Sequence, residues 1–321
     1  MGNYIKKRTI TGVLTIVFSF CLTFFLTRCA PGNPVKVLAG ADNPNPELIE
    51  HLTIRYGLDK SLPVQFVNYV KDVFKGDLGY SYISNRPVTT LIAEKIFPTI
   101  LLSSTATLLS VVIGTILGIY AARRAGSILD RVMCGISYVF DSLPGFWLGL
   151  ILILIFASGL GLLPTSGMYD VREDYEGLPK VLDIMRHMIL PVSALLIIQT
   201  PAYFRVARSS VIQTMSEDFV LTLRATGMSE NKIFNKYILR NAIIPTVTIF
   251  SSDLAFMVGG VTFVEIVFAW PGMGRLIMEA ITRRDYPLLT GIYLMISISI
   301  CIVMLITDIV YAFIDPRIRL R

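Results

Sequence analysis

Charged residues make up only 16% of the 321-residue chain, which has two histidines and four cysteines. Cys21, Cys29, Cys134 and Cys301 are scattered, mostly inside apolar runs, with no CxxC pair and no metal-binding spacing. That excludes a disulfide framework and a zinc site. No GxxxxGK[ST] loop is present to cradle a phosphate, and HExxH, GxSxG and paired-acid motifs are missing too. The chain is therefore not expected to be an enzyme, nor to hold a metal or cofactor of its own. The histidines, His51 and His187, are isolated, and His187 reads as an interfacial residue rather than a ligand. Internal repeats and low-complexity tracts are absent as well.

What the chain has in abundance is apolar surface. Hydrophobic residues make up 54% of it, and the mean hydropathy is +0.65. A bilayer core takes about 20 apolar residues to cross as a helix. Runs of that order lie at about Thr9 to Thr27, Phe97 to Ala122, Val132 to Leu163, Met188 to Phe204, Ala242 to Phe263 continuing toward Trp270, and Tyr286 to Thr307. The expected fold is all-α, a polytopic membrane protein with six transmembrane helices. The first run is long for a signal peptide, and Arg28 stands where a cleavage site needs a small residue, so it reads as an uncleaved anchor. Pro98 is expected in the first turn of the second span. "DSLPG" at Asp141 to Gly145 should kink the third.

The formal charge of +6 suits membrane orientation rather than nucleic acid, because the basic residues cluster beside apolar runs. Lys6, Lys7 and Arg8, then Arg123, Arg124 and Arg131, then Arg205 through Arg240, and finally Arg317, Arg319 and Arg321 all fall on one side. This predicts a multi-pass protein of the cell (inner or plasma) membrane with both termini cytoplasmic. Residues 1–28 form a tail and the first span. Residues 29–96 form an extracytoplasmic segment with seven basic and seven acidic residues, residues 97–315 the five-helix core, and residues 316–321 a cytoplasmic tail. In the outer segment Phe66, Tyr69, Val70, Val73 and Phe74 recur at helical steps, which suits a small cap or a packed spacer.

One polar stretch, "RATGMSENKIFNKYILRNAIIP" from Arg224 to Pro245, interrupts the apolar pattern. Glu217 to Thr226 reads as a short helix with Phe219, Leu223 and Thr226 on one side, and Gly227 as its C-cap. Ser229 is placed to N-cap a second helix, with Glu230 against the positive end of its dipole. In that helix Ile233 pairs with Tyr237 and Phe234 with Ile238, while Lys232, Lys236 and Arg240 take other faces. Pro245 should turn the chain into the fifth span. Two short helices at about 216–241 would thus lie at the inner membrane face, against anionic lipid or a protein partner. Acids inside apolar runs are costly; Asp141, Asp253 and Glu265 are the candidates for a translocation path, and for Asp253 a buried carboxylate hydrogen-bonded to a neighbouring span or partner subunit is the alternative. Gly114/Gly118 and Gly145/Gly149 allow close helix approach, within the chain or against a second subunit.

"RATG", with "LRNAIIP" ending eighteen residues after its glycine, resembles the coupling motif of permeases in ATP-binding cassette importers of the dipeptide/oligopeptide/nickel family, specifically the first permease of the pair. "YGLDKSLPVQFVNYV" at Tyr56 to Val70, "GDLGYSY" at Gly76 to Tyr82, "LPTSG" at Leu163 to Gly167, "FAWPGMG" at Phe268 to Gly274 and "DPRIR" at Asp315 to Arg319 extend the resemblance over nearly the whole chain. It implies the type I importer permease fold. Ala225 and Gly227 match the small residues that seat a coupling helix in an ATPase cleft, and Arg224, Arg240 and Asn241 match positions typical of this subfamily; Pro245, which closes the segment, falls later than the proline of the general importer motif. Leu221 stands where the general importer motif has an acid. The implied partners are a homologous second permease, two ATPase subunits that bind the ATP, an extracytoplasmic substrate-binding protein and membrane lipid. The implied cargo is a di- or oligopeptide. A nickel or metal-chelator importer of the same family is the nearest alternative, and an ion-coupled secondary transporter is the alternative from another class.

Overall fold

The computed structural model describes residues 2–29, 35, 46–55 and 57–314. The "DPRIR" motif, the tail at 316–321, Tyr56 and most of 30–45 lie outside the described residues. The described chain forms helices α1 (Gly2–Cys29), α2 (Pro46–Arg55), α3 (Leu62–Phe74), α4 (Val88–Arg123), α5 (Ile128–Ser142), α6 (Gly145–Leu152), α7 (Leu178–Met215), α8 (Asp218–Ala225), α9 (Glu230–Lys232), α10 (Leu239–Ala242), α11 (Ile244–Phe256), α12 (Thr262–Val267), α13 (Met273–Thr282) and α14 (Tyr286–Ile314). Stretches of π-helix continue α6 over Ile153–Gly159 and join α9 to α10 over Ile233–Ile238.

Five helical runs are long and apolar enough to cross a membrane: Arg8–Cys29, Val88–Arg123, Leu178–Met215, Glu230–Gly259 and Tyr286–Thr307. The pair Ile128–Ser142 and Gly145–Gly159, bent by 98° at its break, makes a sixth when counted as one span. The break falls on Leu143 and Pro144, as "DSLPG" predicts, and Pro144 becomes the N-cap of α6. Other boundaries differ from expectation. The second span starts at Val88, so Pro98 lies inside α4 and not in its first turn. The fourth runs over 38 residues and contains both Pro191 and Pro201. Packing and apolar surroundings hold a helix through one missing N–H, so proline marks neither boundary. The fifth span is interrupted instead: after the 3₁₀ turn Met257–Gly259, Gly260 adopts φ 78° and the chain restarts as α12.

The chain divides into two compact units. In the first (Met1–Thr99, Val258–Thr262 and Pro271–Arg321), α1 packs along α14, with the Cys301 thiol 3.4 Å from the Gly12 carbonyl. The core gathers Phe20, Leu78, Val88, Ile92, Met273 and Ile292, and the α3 face bearing Phe66, Tyr69, Val70 and Val73 rests on it. Phe74 departs from that pattern at 88% exposure, because α3 ends there and Gly76, at φ 82°, turns the chain away. Asp285 is buried just before α14 and accepts hydrogen bonds from the Ser81 hydroxyl and the backbone N–H groups of Tyr82, Ile83 and Leu288. Those donors replace the water that the carboxylate loses on burial.

The second unit is Ile100–Met257 with Phe263–Trp270. Here α4 and α7 touch backbone to backbone. A Cβ at Gly114 would stand 2.8 Å from the Thr200 carbonyl oxygen, and one at Gly118 would stand 2.6 Å from that of Phe204. A Cβ at Gly145 would meet Ile198, and one at Gly149 would meet Val267 and Phe268. Both glycine pairs therefore serve packing within this chain. Gly118→Leu is expected to lower the melting temperature of the detergent-solubilised protein by about 5 °C, a typical cost of overpacking. Gly135→Ala, with no neighbour within 4 Å, should leave it unchanged or raised; equal effects of the two substitutions would refute the close contact.

Candidate functional site

The segment between α7 and α11 is polar because it has to leave the apolar phase, and folded because one side of it is not polar. Val220, Ile233, Phe234, Ile238 and Ala242 form a buried cluster with Ala122 of α4 and Val211 of α7, and Phe219, Leu223 and Met228 pack around it. The predicted apolar pairs thus seat both short helices on the ends of two spans. Glu217 takes the extended N-cap conformation before α8, and Gly227 follows it at φ 76° with no atom near its missing Cβ. Glycine enters that left-handed region at no steric cost, and asparagine is the side chain that tolerates it best. Ser229 has N-cap backbone geometry, and its carbonyl accepts from Lys232 and Ile233, but its hydroxyl caps nothing.

The second helix corrects two expectations. It is only briefly α-helical before the π segment Ile233–Ile238, and it does not end at Pro245. Ile243 alone separates α10 from α11, and Pro245 occupies the first turn of α11, where its missing N–H costs no hydrogen bond. The chain turns instead at Gly227, between the two helices, and from Glu230 it continues as one helical run to Gly259.

Specific polar contacts fix the arrangement. The Arg224 guanidinium donates to both Glu230 oxygens at 2.8 and 3.2 Å, joining the helices across the Gly227 turn, and this bond raises the pKa of Arg224 further. Arg123, at the end of α4, lies 3.9 Å over the Phe234 ring and donates to Asn235 at 2.9 Å. The Asn241 side chain bonds back to the Tyr237 carbonyl, and Arg240 and Pro245 are exposed. What remains open is a face bearing Leu221, Arg224, Ala225 and Gly227; Leu221, 68% exposed, is its apolar centre.

An ion pair that sequence reasoning missed stands behind this face. Asp130, with its side chain 3% exposed, receives the Arg208 guanidinium in a two-toothed contact at 2.6 and 2.8 Å, together with the Gly126 N–H at 2.9 Å. The Ser127 hydroxyl caps α5 through the Asp130 N–H. The pair therefore pins the α4–α5 turn to α7 about two helical turns before the polar segment begins. Its signals in the sequence were an arginine inside an apolar helix and an acid three residues after a capping serine.

The three acids proposed for a path stand in different surroundings. Asp141 is exposed and pairs with Arg205 at 3.1 Å. Asp253 is half-buried and accepts from the buried Tyr203 hydroxyl. Glu265 is fully buried in α12. His187 pairs with Asp183 in the same turn of α7.

Comparisons with known proteins give the chain its family. The family of binding-protein-dependent transport system inner membrane components matches residues 114–320, and the model of the N-terminal part of such components matches residues 1–103. The chain belongs to this family, the membrane permeases of peptide-type ATP-binding cassette importers. It is 35% identical to the probable peptide ABC transporter permease protein y4tP of Sinorhizobium fredii, over 99% of this chain and all of that one. It is 36% identical to the glutathione transport system permease protein GsiC of Salmonella choleraesuis over the full length of both. It is 34% identical to the di/tripeptide transport system permease protein DppB of Pseudomonas aeruginosa, over 99% of each. Among solved structures, an inward-facing form of the MetNI methionine ABC transporter superposes with a TM-score of 0.55 at 17% identity, over 70% of this chain and 96% of that one. That likeness concerns the fold, which is the type I importer permease fold. Family membership makes the chain a transport component rather than an enzyme, and it sets aside the ion-coupled secondary transporter.

Breaking the Asp130–Arg208 pair from one side leaves a buried charge uncompensated. Arg208→Gln, which strands the buried Asp130, should destabilise the protein by about 3 kcal/mol in reversible unfolding in detergent, Asp130→Asn, which leaves the part-exposed Arg208, by less, and the double variant should cost clearly less than their sum. Simple additivity would show that the pair does not act as a unit.

Proposed function

We propose that this chain is the first permease subunit of an importer for di- or oligopeptides, driven by ATPase chains that dock on α8 and the Gly227 turn. The observation that carries the reading is the open face of Leu221, Arg224, Ala225 and Gly227, backed by an apolar cluster and the Arg123 contact and tied across its turn by Arg224 to Glu230. A face that is anchored on the ends of two spans and open on its other side is suited to transmit motion into the membrane. Leu221, in the place of an acid, makes its centre apolar.

In this reading both termini and the 216–241 segment are cytoplasmic, in agreement with the basic residues there. Residues 29–96 face outward, toward a substrate-binding protein, and a homologous permease completes the path. ATP is bound by the ATPase subunits and not by this chain. Closing and reopening of the ATPase dimer moves α8 and, through it, α4 and α7. Arg240, Asn241 and Pro245 border the docking face. Asp141 and Asp253 are the acids available to the path; enclosed Glu265 belongs to the packing of α12. The substrate assignment follows the relatives' peptide and glutathione substrates, and none of the three names a metal.

Reconstitution with the ATPase subunits and binding protein tests the reading directly. ATP-dependent uptake of a labelled di- or tripeptide is expected; uptake of a nickel chelate with no peptide uptake would establish the rival. Gly227→Val should abolish co-purification of the ATPase and reduce uptake at least ten-fold while membrane insertion is unchanged, because a β-branched residue cannot hold φ 76° without strain. Gly227→Asn, which tolerates that conformation, should retain most of both. A fully active Gly227→Val transporter would end the coupling proposal.

A further inference from the structure

A second polar site lies in the first unit, far along the sequence from the segment just discussed. A cavity of about 480 Å³ is lined by Arg28, Tyr69, Asp72, Tyr80, Tyr82 and Asn85. Arg28 ends α1, and its guanidinium is held on two sides: its carbon lies 3.7 Å over the Phe24 ring, and its Nε donates to Gln65 at 3.0 Å. Gln65 is itself fixed by the Lys60 carbonyl at 2.8 Å. The remaining edge is unsatisfied. Arg28 Nη1 and the Tyr69 hydroxyl are both buried without a hydrogen-bond partner, and no carboxylate of the described residues forms an ion pair with Arg28.

A guanidinium nitrogen buried with no acceptor is costly, and an unpaired phenol beside it adds to that cost; the Asp72 carboxylate at the cavity wall lies toward Lys75 and bonds neither group. Both costs vanish if an anion with several acceptor oxygens enters the cavity. A phosphate or a carboxylate meets the guanidinium fork, and a phosphate has an oxygen left for the tyrosine.

The position of the site selects between them. The apolar run Arg8–Cys29 has 22 residues, about 33 Å of helix at 1.5 Å per residue, against a hydrocarbon core of about 30 Å. Arg28 therefore stands where acyl chains give way to headgroups. Along the same helix Ile10, Leu14, Val17, Phe18, Leu22 and Leu26 are exposed, so α1 offers apolar surface to acyl chains below the level of the cavity. From this combination we infer that the Arg28–Tyr69 cavity binds the phosphate of a glycerophospholipid whose acyl chains lie along α1.

The test uses the full-length chain in its transporter complex, reconstituted in nanodiscs of phosphatidylglycerol and phosphatidylethanolamine, then exchanged into mild detergent. Native mass spectrometry counts the phospholipid retained. The wild type should keep one tightly held phospholipid that Arg28→Gln loses by about ten-fold or more. Tyr69→Phe is the decisive variant, since it removes only the unpaired oxygen: a purely structural role predicts equal or higher stability and unchanged lipid, whereas the phosphate site predicts a loss of several-fold. Lys75→Gln, an exposed cation just after α3, should retain the lipid. Unchanged retention in both Arg28→Gln and Tyr69→Phe would overturn the site. Displacement of the lipid by millimolar inorganic phosphate or by a dipeptide, with the same dependence on Arg28, would overturn the lipid in favour of a free anion or of the cargo.

Discussion

The second unit depends on one steric fact: α4 and α7 approach so closely at Gly114 and Gly118 that there is no room for a Cβ. Apolar side chains gain little from leaving lipid for protein, so helix association in a bilayer rests on packing and on such close contact. With the two helices held together, their ends lie side by side and give Val211 and Ala122 a common surface. The buried cluster under α8 and the π segment is built on that surface. The polar segment thus inherits its position from two glycines more than 90 residues upstream.

Polar groups then lock what packing has brought together. Asp130 with Arg208, Tyr203 with Asp253, and Asp285 with its ring of donors each give a buried charge or hydroxyl a partner inside the protein. In a membrane the alternative is an unsatisfied group, so these contacts specify one arrangement even where their net energy is modest. The Asp130–Arg208 pair is placed to hold the α4–α5 turn and α7 as one body.

Much of this was legible in the residues. Apolar length announced the spans, "DSLPG" the bend, and the Gly227 and Glu217 positions the limits of α8. Legibility ended where a residue's meaning depends on a distant neighbour. Pro98 read locally as the start of a span, yet packing carries α4 through it, as it carries α7 through Pro191 and Pro201. Phe74 matched the helical period but fell on the last residue of α3, where no surface remained to cover it. Asp130 and Arg208 are 78 residues apart, and nothing in either neighbourhood names the other. The site face followed the same rule: its helices were visible from capping and period, while its anchoring by Arg123 required the fold.

The π segment Ile233–Ile238 also acts as an angular offset. A π-bulge amounts to one extra residue in an α-helix, and each α-helical residue advances the chain by 100°. Everything from α10 through α11 is therefore rotated by about that angle from where a regular helix would set it. Deleting one residue there would keep the segment helical and apolar on average, yet would swing Asp253 away from Tyr203 and turn a different side of the fifth span toward α7. Rotational registry between the polar segment and the span it feeds is thus stored in a single irregular turn.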